Sequence, residues 1–377
     1  MTGAPSMDRG LSLWLDLLRV LATLTVLLGH AAHLRFTDGA MYALREWNVA
    51  SDAVIVFFVL SGVVIAYAAE RDGTLGRFAF NRLTRLWTVL LPALLLTIVL
   101  DRIGLAHDAG AYLYPNFQPL PPEELLLRGL TFTNEWRGTW DKVRLGTNGP
   151  IWSLSYEAAF YAMFGAATFL RGALRIVVVA LLAALAGLPI LALAPAWFVG
   201  VAVWRIVRDG TRPAPSVAHA WALFLGGPAA IVACKVMGVD HGLAALTRDL
   251  LAPVHYQWLL GYSDEMLWNT ALAVGVGLHL LGARALGPRI ANWIDTRTAR
   301  SIRWVAGASF SVYVVHYPVL HLADATLPEA MAFKPLVFVA LPLLCALLFA
   351  ELFERPLRRV RRLLLDAGAA LRAVRAT

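Results

Sequence analysis

Long apolar runs that contain almost no charge constrain the fold of this chain more than any other feature of its sequence. Three of them read "LWTVLLPALLLTIVL", "IVVVALLAALAGLPILALA" and "PLVFVALPLLCALLFA". A helix of about 20 apolar residues is long enough to cross the hydrocarbon core of a bilayer. Because 59% of the 377 residues are hydrophobic and only 15% are charged, the sequence predicts an all-α, polytopic transmembrane helix bundle rather than a soluble domain.

The apolar runs predict ten transmembrane spans in a single domain that covers residues 1–377. Their approximate bounds are 11–33, 51–70, 84–102, 151–170, 174–193, 195–209, 217–237, 264–284, 304–323 and 333–353. If the spans alternate from a cytoplasmic N-terminus, most of the 33 Lys and Arg residues lie on the cytoplasmic side, as membrane proteins prefer. We therefore expect both termini in the cytoplasm. The first span contains charges and lacks a small-residue cleavage site, so it is interpreted as a retained helix and not as a signal peptide.

The longest segment predicted on the outer side covers residues 103–149. It is rich in Pro, Gly, Asn and aromatic residues, and it predicts a structured loop with a short helix near "PEELLLRGL". Loops of this length are often functional, and Trp136 and Trp140 would offer flat faces to a sugar ring. The other interpretation is a connector that packs on the bundle.

Charge and cysteine content argue against several kinds of partner. The net charge of +8 does not predict a nucleic-acid partner, because the basic residues lie at helix ends. Cys234 and Cys345 both lie inside apolar runs, so neither a disulfide nor a metal site is predicted. The sequence also lacks the GxxxxGK[ST], HExxH and GxSxG motifs, which weighs against a P-loop motor, a zinc protease or a serine hydrolase.

The first span carries two ionisable residues, Arg19 and His30. At 100° per residue they lie within about 20° of one helix face, separated by about 16 Å along the axis. Ionisable groups inside a membrane normally face the protein interior or a water-filled path. The pair therefore predicts a polar path in which His30 acts as a general base on a hydroxyl. The alternatives are a salt bridge between Arg19 and Asp16, and a His30 that only hydrogen-bonds a neighbour at the membrane interface.

Two further polar groups are found at span ends. Arg82 and Arg85 in "RFAFNRLTRLW" share one helix face at the predicted inner surface. They either bind phosphates of a cytosolic anionic cofactor or anchor the span as ordinary cytoplasmic arginines. Glu157 in "NGPIWSLSYEAAFY" needs a partner or a proton inside a membrane. It is either part of the polar path or a structural hydrogen-bond anchor between helices.

Two other stretches are predicted to serve helix packing. Ser61 and Gly62 in "FFVLSGVVIAYA" permit a close helix approach. His316 in "SFSVYVVHYPVL" lies beside Ser311 and Tyr313 and is interpreted as a core histidine.

These stretches, taken in order along the chain, resemble acyltransferase family 3, the membrane acyltransferases that modify glycans and related acceptors. Members often carry an acidic residue directly before FFVLSG, whereas here Asp52 is displaced towards the outer boundary, so Asp52 is assigned no catalytic role. The matching elements are R-x10-H at Arg19 and His30, FFVLSG at 57–62, RxxR at Arg82 and Arg85, WSLxxE at 152–157, YxxHxP at 313–318, and FERP at 353–356.

The resemblance implies an acyl-CoA donor, usually acetyl-CoA, from the cytoplasm and an acceptor hydroxyl on a glycan or small molecule at the outer face. It implies no metal, and it implies that this chain is the membrane domain alone. Catalytic roles are assigned to His30, Arg19 and Glu157, and donor binding to Arg82, Arg85 and Arg19. The candidates for substrate binding are Trp136, Trp140, Trp152, Tyr313 and His316.

Two mechanisms and two functional classes are open at this point. His30 either takes a proton from the acceptor hydroxyl or carries the acyl group transiently, and we prefer the first because no second nucleophile is evident. A transporter of a glycan or lipid-linked intermediate is the competing class, although a flippase for neutral sugars has no need of an arginine pair at its inner face. The Ala- and Arg-rich composition is typical of GC-rich bacteria, so we expect a multi-pass protein of a bacterial inner membrane. The sequence does not identify the acceptor, the acyl chain or the oligomeric state.

Overall fold

The computed structural model describes residues 7–113, 117–137, 142–208, 215–251 and 259–375, with side chains up to residue 367. The described part of the chain consists of helices and connecting loops and contains no strand. The α-helices are α1 (Arg9–Ala31), α2 (Leu34–Thr37), α3 (Ala43–Glu46), α4 (Val49–Asp72), α5 (Leu75–His107), α6 (Pro122–Leu130), α7 (Trp152–Phe169), α8 (Gly172–Ala186), α9 (Leu188–Arg208), α10 (Val217–Val236), α11 (Val239–Leu251), α12 (Met266–Ala285), α13 (Gly287–Trp293), α14 (Thr296–Ala306), α15 (Ser309–Thr326), α16 (Lys334–Phe349) and α17 (Leu357–Arg375).

Within these residues, seven helices are long and apolar enough to cross a membrane: α1, α4, α5, α9, α10, α12, and α16 with its continuation to Ala367. The helices α14 and α15 meet at an angle of 49° and raise the number to eight if they form one broken span. The expected count of ten spans is not confirmed, because α7 and α8 are not long and apolar enough to count as membrane-crossing helices. The polar residues Ser153, Ser155 and Glu157 lower the hydropathy of α7. The 15 residues of α8 span only about 22 Å.

The boundary between the fifth and sixth predicted spans lies elsewhere than expected. The predicted fifth span ends at residue 193, and the predicted sixth span begins at residue 195. In the structure α8 ends at Ala186 and α9 begins at Leu188, and Pro195 lies inside α9. Gly187 between them has a φ of +83°, a conformation that residues with a side chain rarely adopt. The glycine, not the proline, therefore separates the two helices.

The third predicted span is part of a longer helix. The 33 residues of α5 extend over about 50 Å, so Arg82 and Arg85 lie inside the helix and not ahead of it. Near the other end of α5, Asp101 Oδ2 accepts a hydrogen bond from the backbone N–H of Thr147 at 3.0 Å. One continuous helix thus connects the arginine pair to the segment that joins α5 and α7.

The helices α4 and α9 approach each other closely at two glycines. A Cβ atom on Gly62 would lie 2.2 Å from the carbonyl oxygen of Trp197, and one on Gly200 would lie 2.0 Å from that of Val59. Small residues of this kind let transmembrane helices pack backbone to backbone, so the packing role that the sequence suggested for Gly62 is observed. The contact holds α4 in place beside α1 and α7, and polar residues of α1, α4, α5, α7 and α15 face one another at the centre of the bundle.

Candidate active site

A cavity lies at the centre of the bundle and is called the central cavity below. It contains about 830 Å³ of empty space, counted to its open mouth. Apolar residues of α4 form much of its wall, including Val54, Phe57 and Leu60. Its polar lining consists of Arg19, Ser61, Arg82, Arg85, Ser153, Glu157, Tyr161, Ser309 and Tyr313.

Three arginines from two helices meet at this cavity. Arg19 on α1 makes the predicted alternative salt bridge, with its Nη1 atom 3.2 Å from Asp16 Oδ1, and it also lines the cavity. Arg82 is only 8% exposed, and its Nε atom is buried without a hydrogen-bond partner. Arg85 lies one turn further along α5. A buried donor without an acceptor costs free energy, so an anion bound at Arg82 would relieve that cost.

Glu157 also lines the central cavity and is held by two hydroxyl groups. The Ser61 hydroxyl donates to Glu157 Oε1 at 2.6 Å, and Tyr161 donates to the same oxygen. Glu157 therefore anchors α7 to α4 by hydrogen bonds and also lines the central cavity, while its part in a polar path stays a prediction. Sequence reasoning missed the polar roles of Ser61 and Tyr161. The one signal for Tyr161 is its position one helical turn after Glu157.

Tyr313 closes the cavity on the side of α15. Its hydroxyl donates to the carbonyl oxygen of Pro150 at 2.7 Å, and it lies 2.6 Å from Ser153 Oγ. Because the Tyr313 proton is used on Pro150, Ser153 is the donor in the second bond. These bonds fix the start of α7 against α15. The Tyr313 ring lies 6.2 Å, between centroids, from the ring of His316 on the next turn.

His316 contacts His30, which the sequence interpretation as a plain core histidine did not anticipate. The Nδ1 atom of His30 lies 2.7 Å from Nε2 of His316, and the two ring planes are nearly parallel (10°) with centroids 5.0 Å apart. His316 is fully buried, and its own Nδ1 atom lies 2.8 Å from the carbonyl oxygen of Val312.

The hydrogen bonds fix the tautomer of each ring in this histidine pair. A carbonyl oxygen only accepts, so Nδ1 of His316 carries its proton and Nε2 of His316 carries a lone pair. His30 must then donate from Nδ1, which leaves a lone pair on Nε2 of His30. This is the arrangement of a general base that is oriented by a second residue.

His30 does not line the central cavity. The continuous path from Arg19 to His30 that the spacing suggested is therefore not open in this structure. Tyr313 lines the cavity and packs against His316, so the histidine pair lies behind Tyr313 as seen from the arginines.

A second, more basic cavity adjoins the central one and is called the inner cavity. It contains about 1030 Å³ of empty space, and it shares Arg19, Arg85 and Phe310 with the central cavity. Glu354 of the FERP stretch also lines it and accepts hydrogen bonds from the N–H and hydroxyl of Ser311 at 2.8 and 2.7 Å. The sequence did not assign site roles to its other cationic residues, Arg303, Arg355 and Arg358.

A comparison with known protein families identifies the family of this chain. The family model for the acyltransferase domain of acyltransferase family 3 matches residues 12–353. The chain belongs to this family. No curated protein and no solved structure matches the chain significantly. The match runs from residue 12 in α1 to residue 353, beyond the end of α16, so the chain is a membrane acyltransferase. The central cavity lies wholly within the matched residues, whereas Glu354, Arg355, Leu357 and Arg358 of the inner cavity follow them.

The aromatic residues predicted to bind substrate lie in different places in this acyltransferase. Trp136 packs against the core and donates from Nε1 to the carbonyl oxygen of Ser155 at 3.4 Å. Trp152 stacks on Tyr262 with centroids 4.3 Å apart. Neither tryptophan lines one of the cavities described here. Trp140 lies outside the described residues.

No group of three or more His, Cys, Asp or Glu residues is placed to hold a metal ion in the described ranges. The polar groups of the central region include the arginines, Glu157 with its hydroxyl partners, and the histidine pair.

Proposed function

We propose that this acyltransferase transfers an acyl group, usually acetyl, from cytoplasmic acyl-CoA to a hydroxyl of a glycan or related acceptor at the outer side of a bacterial inner membrane. The observation that carries the proposal is the order of the polar groups along the bundle. A cluster of arginines lies at one end, and an oriented histidine base lies beyond Tyr313. Family membership supplies the reaction class and favours an enzyme over the transporter considered from sequence.

The arginine end suits the anionic part of the donor. Arginine binds phosphate oxygens through its planar fork of donors, and the unpaired Nε of Arg82 is one such donor. The inner cavity adds Arg303, Arg355 and Arg358 beside Arg85. In this proposal Arg82 and Arg85 hold phosphate groups while the apolar wall of α4 accommodates uncharged parts. The bound donor would supply an activated thioester carbonyl.

The histidine end provides the base. The lone pair on His30 Nε2 accepts the proton of the acceptor hydroxyl as the hydroxyl oxygen forms a bond to the thioester carbonyl carbon. The carbon–sulfur bond then breaks, and CoA leaves as the thiol with the proton that His30 Nε2 returns. His316 Nε2 accepts the hydrogen bond from His30 Nδ1 throughout. The positive charge that develops on His30 is shared across this bond, and the bond from His316 to Val312 keeps the pair in register.

Direct transfer is proposed rather than an acyl-histidine. The lone pair on His316 Nε2 already accepts a hydrogen bond from His30, so the lone pair on His30 Nε2 is the one that the two rings leave available. An acyl group on His30 Nε2 would occupy that lone pair. The acceptor would then lack a base at this position. Glu157 has its Oε1 occupied by two hydroxyl donors and lies on the wall with the arginines, so its proposed role is to position α7 and to face the donor.

The proposed orientation has both termini in the cytoplasm and counts α7 and α8 as crossing helices, for ten spans in all. The distribution of Arg and Lys supports it. The inner cavity with Arg303 and Arg358 then opens to the cytoplasm, and the segment between α5 and α7 lies outside.

The reaction is testable on purified protein in detergent with labelled acetyl-CoA. Protein-dependent release of free CoA, faster when surface glycan from a strain lacking the gene is added, is the expected result. Mass spectrometry of that glycan would show added acetyl groups. Absence of both CoA release and acetylation in folded protein would contradict the proposed donor.

A further inference from the structure

A third cavity lies between α5, the segment that follows it, and Tyr262; it is called the outer cavity. It contains about 1620 Å³ of empty space, counted to its open mouth, and shares no lining residue with the central cavity. The proposed orientation puts it on the outer side of the membrane. Neither the base nor the donor site described above uses any of its residues.

Three buried polar atoms of the outer cavity have no hydrogen-bond partner. They are the hydroxyl of Tyr112, Oδ1 of Asn134 and Oδ1 of Asn148. Each of these residues is at most 3% exposed. The Asn148 amide is fixed, because its Nδ2 donates to Thr97 Oγ1 at 3.0 Å and to the carbonyl oxygen of Val314 at 2.8 Å. Two of the three atoms only accept hydrogen bonds, so the groups that would satisfy them are donors such as hydroxyls.

The charged residues of the outer cavity are unbalanced. Glu135 is the acidic residue in its described lining, against Lys142 and Arg144. Burial raises the pKa of Glu135 to about 7, although Lys142, Arg137 and Arg144 act in the opposite direction. The carboxyl is therefore only partly ionised near neutral pH, and the wall of the cavity is positive.

The outer cavity directly contacts α15, the helix that carries His316. Asn148 bonds to Val314 on α15, two residues before His316. Tyr112 packs near His321 on the same helix, with ring centroids 6.2 Å apart. A compound held in this cavity therefore lies against the same helix as His316.

We propose that the outer cavity binds the acceptor, and that the acceptor is an anionic sugar. Ring hydroxyls donate to Asn134, Asn148 and Tyr112, and a carboxylate or phosphate on the sugar pairs with Lys142 and Arg144. The term acceptor rests on the proposed function, whereas the binding preference does not.

Three matched compounds test the preference: methyl β-glucuronide, the 6-phosphate of methyl β-glucoside, and methyl β-glucoside itself. They differ only at C6, so any difference in affinity reports the charge. Dissociation constants are measured by saturation-transfer NMR on protein in nanodiscs, without donor. At least one of the two anions is expected to bind about tenfold or more tightly than the neutral glucoside, and the preference is expected to shrink as salt is raised. The better anion distinguishes a carboxylate acceptor from a phosphate acceptor.

Variants locate the effect. Arg144→Gln and Lys142→Gln are each expected to reduce the preference for the anion, whereas Lys142→Arg retains it. Arg102→Gln is the matched control, because Arg102 is an exposed cation at the same end of α5 that does not line the cavity. Thermal unfolding verifies that each variant is folded. Equal affinity for all three compounds in the wild type, including no measurable binding, would overturn the proposal, as would an anion preference that survives both Gln variants.

The test separates this proposal from the acyl-CoA reaction. Sugar binding is measured without donor, and acetyl-CoA turnover is measured on the same preparation. Anion-selective binding in a protein that does not turn over acetyl-CoA would contradict the proposed donor and leave the sugar site standing. Turnover without anion selectivity would remove the sugar site alone.

Discussion

His30 and His316 are 286 positions apart in the sequence, lie on different helices, and share one hydrogen bond. Their roles differ in this account: His30 holds the lone pair that meets the acceptor, and His316 orients that ring. His30→Ala is expected to lower kcat about 100-fold or more, in line with the loss of a general base. His316→Ala should lower kcat less and should shift the pH profile, because His30 loses the partner that fixes its tautomer.

Steady-state kinetics with acetyl-CoA measures both effects, and the KM for acetyl-CoA should change little. His219→Ala is the control, since His219 is an exposed histidine away from the cavities. A His30→Ala protein that turns over at the wild-type rate would remove this residue from the mechanism.

Glu135 gives a prediction for pH. Its pKa is raised from 4.5 to about 7 in the folded protein, chiefly by burial. Well below pH 4.5 the Glu135 carboxyl is protonated in both the folded and the unfolded protein, so it does not change the free energy of unfolding. As the pH rises towards 7, the carboxyl ionises in the unfolded protein while it stays largely protonated in the folded protein, and the free energy of unfolding falls. The full cost above pH 7 is roughly 3 kcal/mol at most.

Glu135→Gln removes this dependence, so its apparent Tm should exceed that of the wild type by a margin that grows from pH 5 to pH 7.5. Glu123→Gln, an exposed carboxylate in the same segment, should follow the wild type. Parallel Tm curves for the wild type and Glu135→Gln would show that the carboxyl is not perturbed.

At the scale of elements, α5 carries Arg82 and Arg85, which are proposed to bind the acyl-CoA donor, within one helical turn. Each lost charge-assisted hydrogen bond costs about 1.5–3 kcal/mol. Arg82→Ala and Arg85→Ala should therefore raise the dissociation constant of acetyl-CoA roughly 10- to 100-fold. Arg77→Ala is the matched control, because Arg77 lies on the same helix, is exposed and lines neither cavity.

Calorimetry on folded protein measures the donor constant in each variant. If Arg82→Ala and Arg85→Ala bind acetyl-CoA as Arg77→Ala does, the pair serves only to anchor the helix at the cytoplasmic surface.

The contact between α4 and α9 supports the site from outside. A methyl group on Gly62 would collide with the backbone of Trp197, which cannot rotate away. Overpacking of this kind costs typically 1–3 kcal/mol, and it would displace the neighbouring Ser61 from Glu157. Gly62→Ala should lower both the Tm and the rate, whereas Gly76→Ala, which meets nothing within 4 Å, should leave both nearly unchanged. Equal Tm values for the two variants would contradict the close packing.

The elements show what the sequence was able to predict. Apolar runs locate α1, α4, α5 and α9 because hydrophobic length is a local property, and motif order places Arg19, Arg82, Arg85 and Glu157 around one cavity. The contact between His30 and His316 depends on how α1 packs on α15, which no local pattern encodes. The break at Gly187 depends on a backbone conformation, whereas the apolar run continues through this residue and predicted the boundary near residue 194.

At the scale of the whole molecule, the described residues form three cavities around α1, α5 and α15. The inner and central cavities share Arg19 and Arg85. The histidine pair lies behind Tyr313. Asn148, which lines the outer cavity, forms a hydrogen bond to the helix that carries His316. The wall at Tyr313 divides the donor side from the base. Transfer in this account therefore requires the acyl end of the donor or the Tyr313 side chain to move before the thioester and the hydroxyl meet.

The most direct test of transfer across the membrane uses sealed proteoliposomes with known protein orientation. Labelled acetyl-CoA is supplied on one face, and surface glycan from a strain lacking the gene on the other. We expect label to reach the glycan only when acetyl-CoA is on the face where Arg358 lies. We expect the Arg82→Ala and His30→Ala variants to lose this transfer and the Arg77→Ala variant to retain it. Equal labelling from either face, or undiminished labelling by His30→Ala, would contradict it.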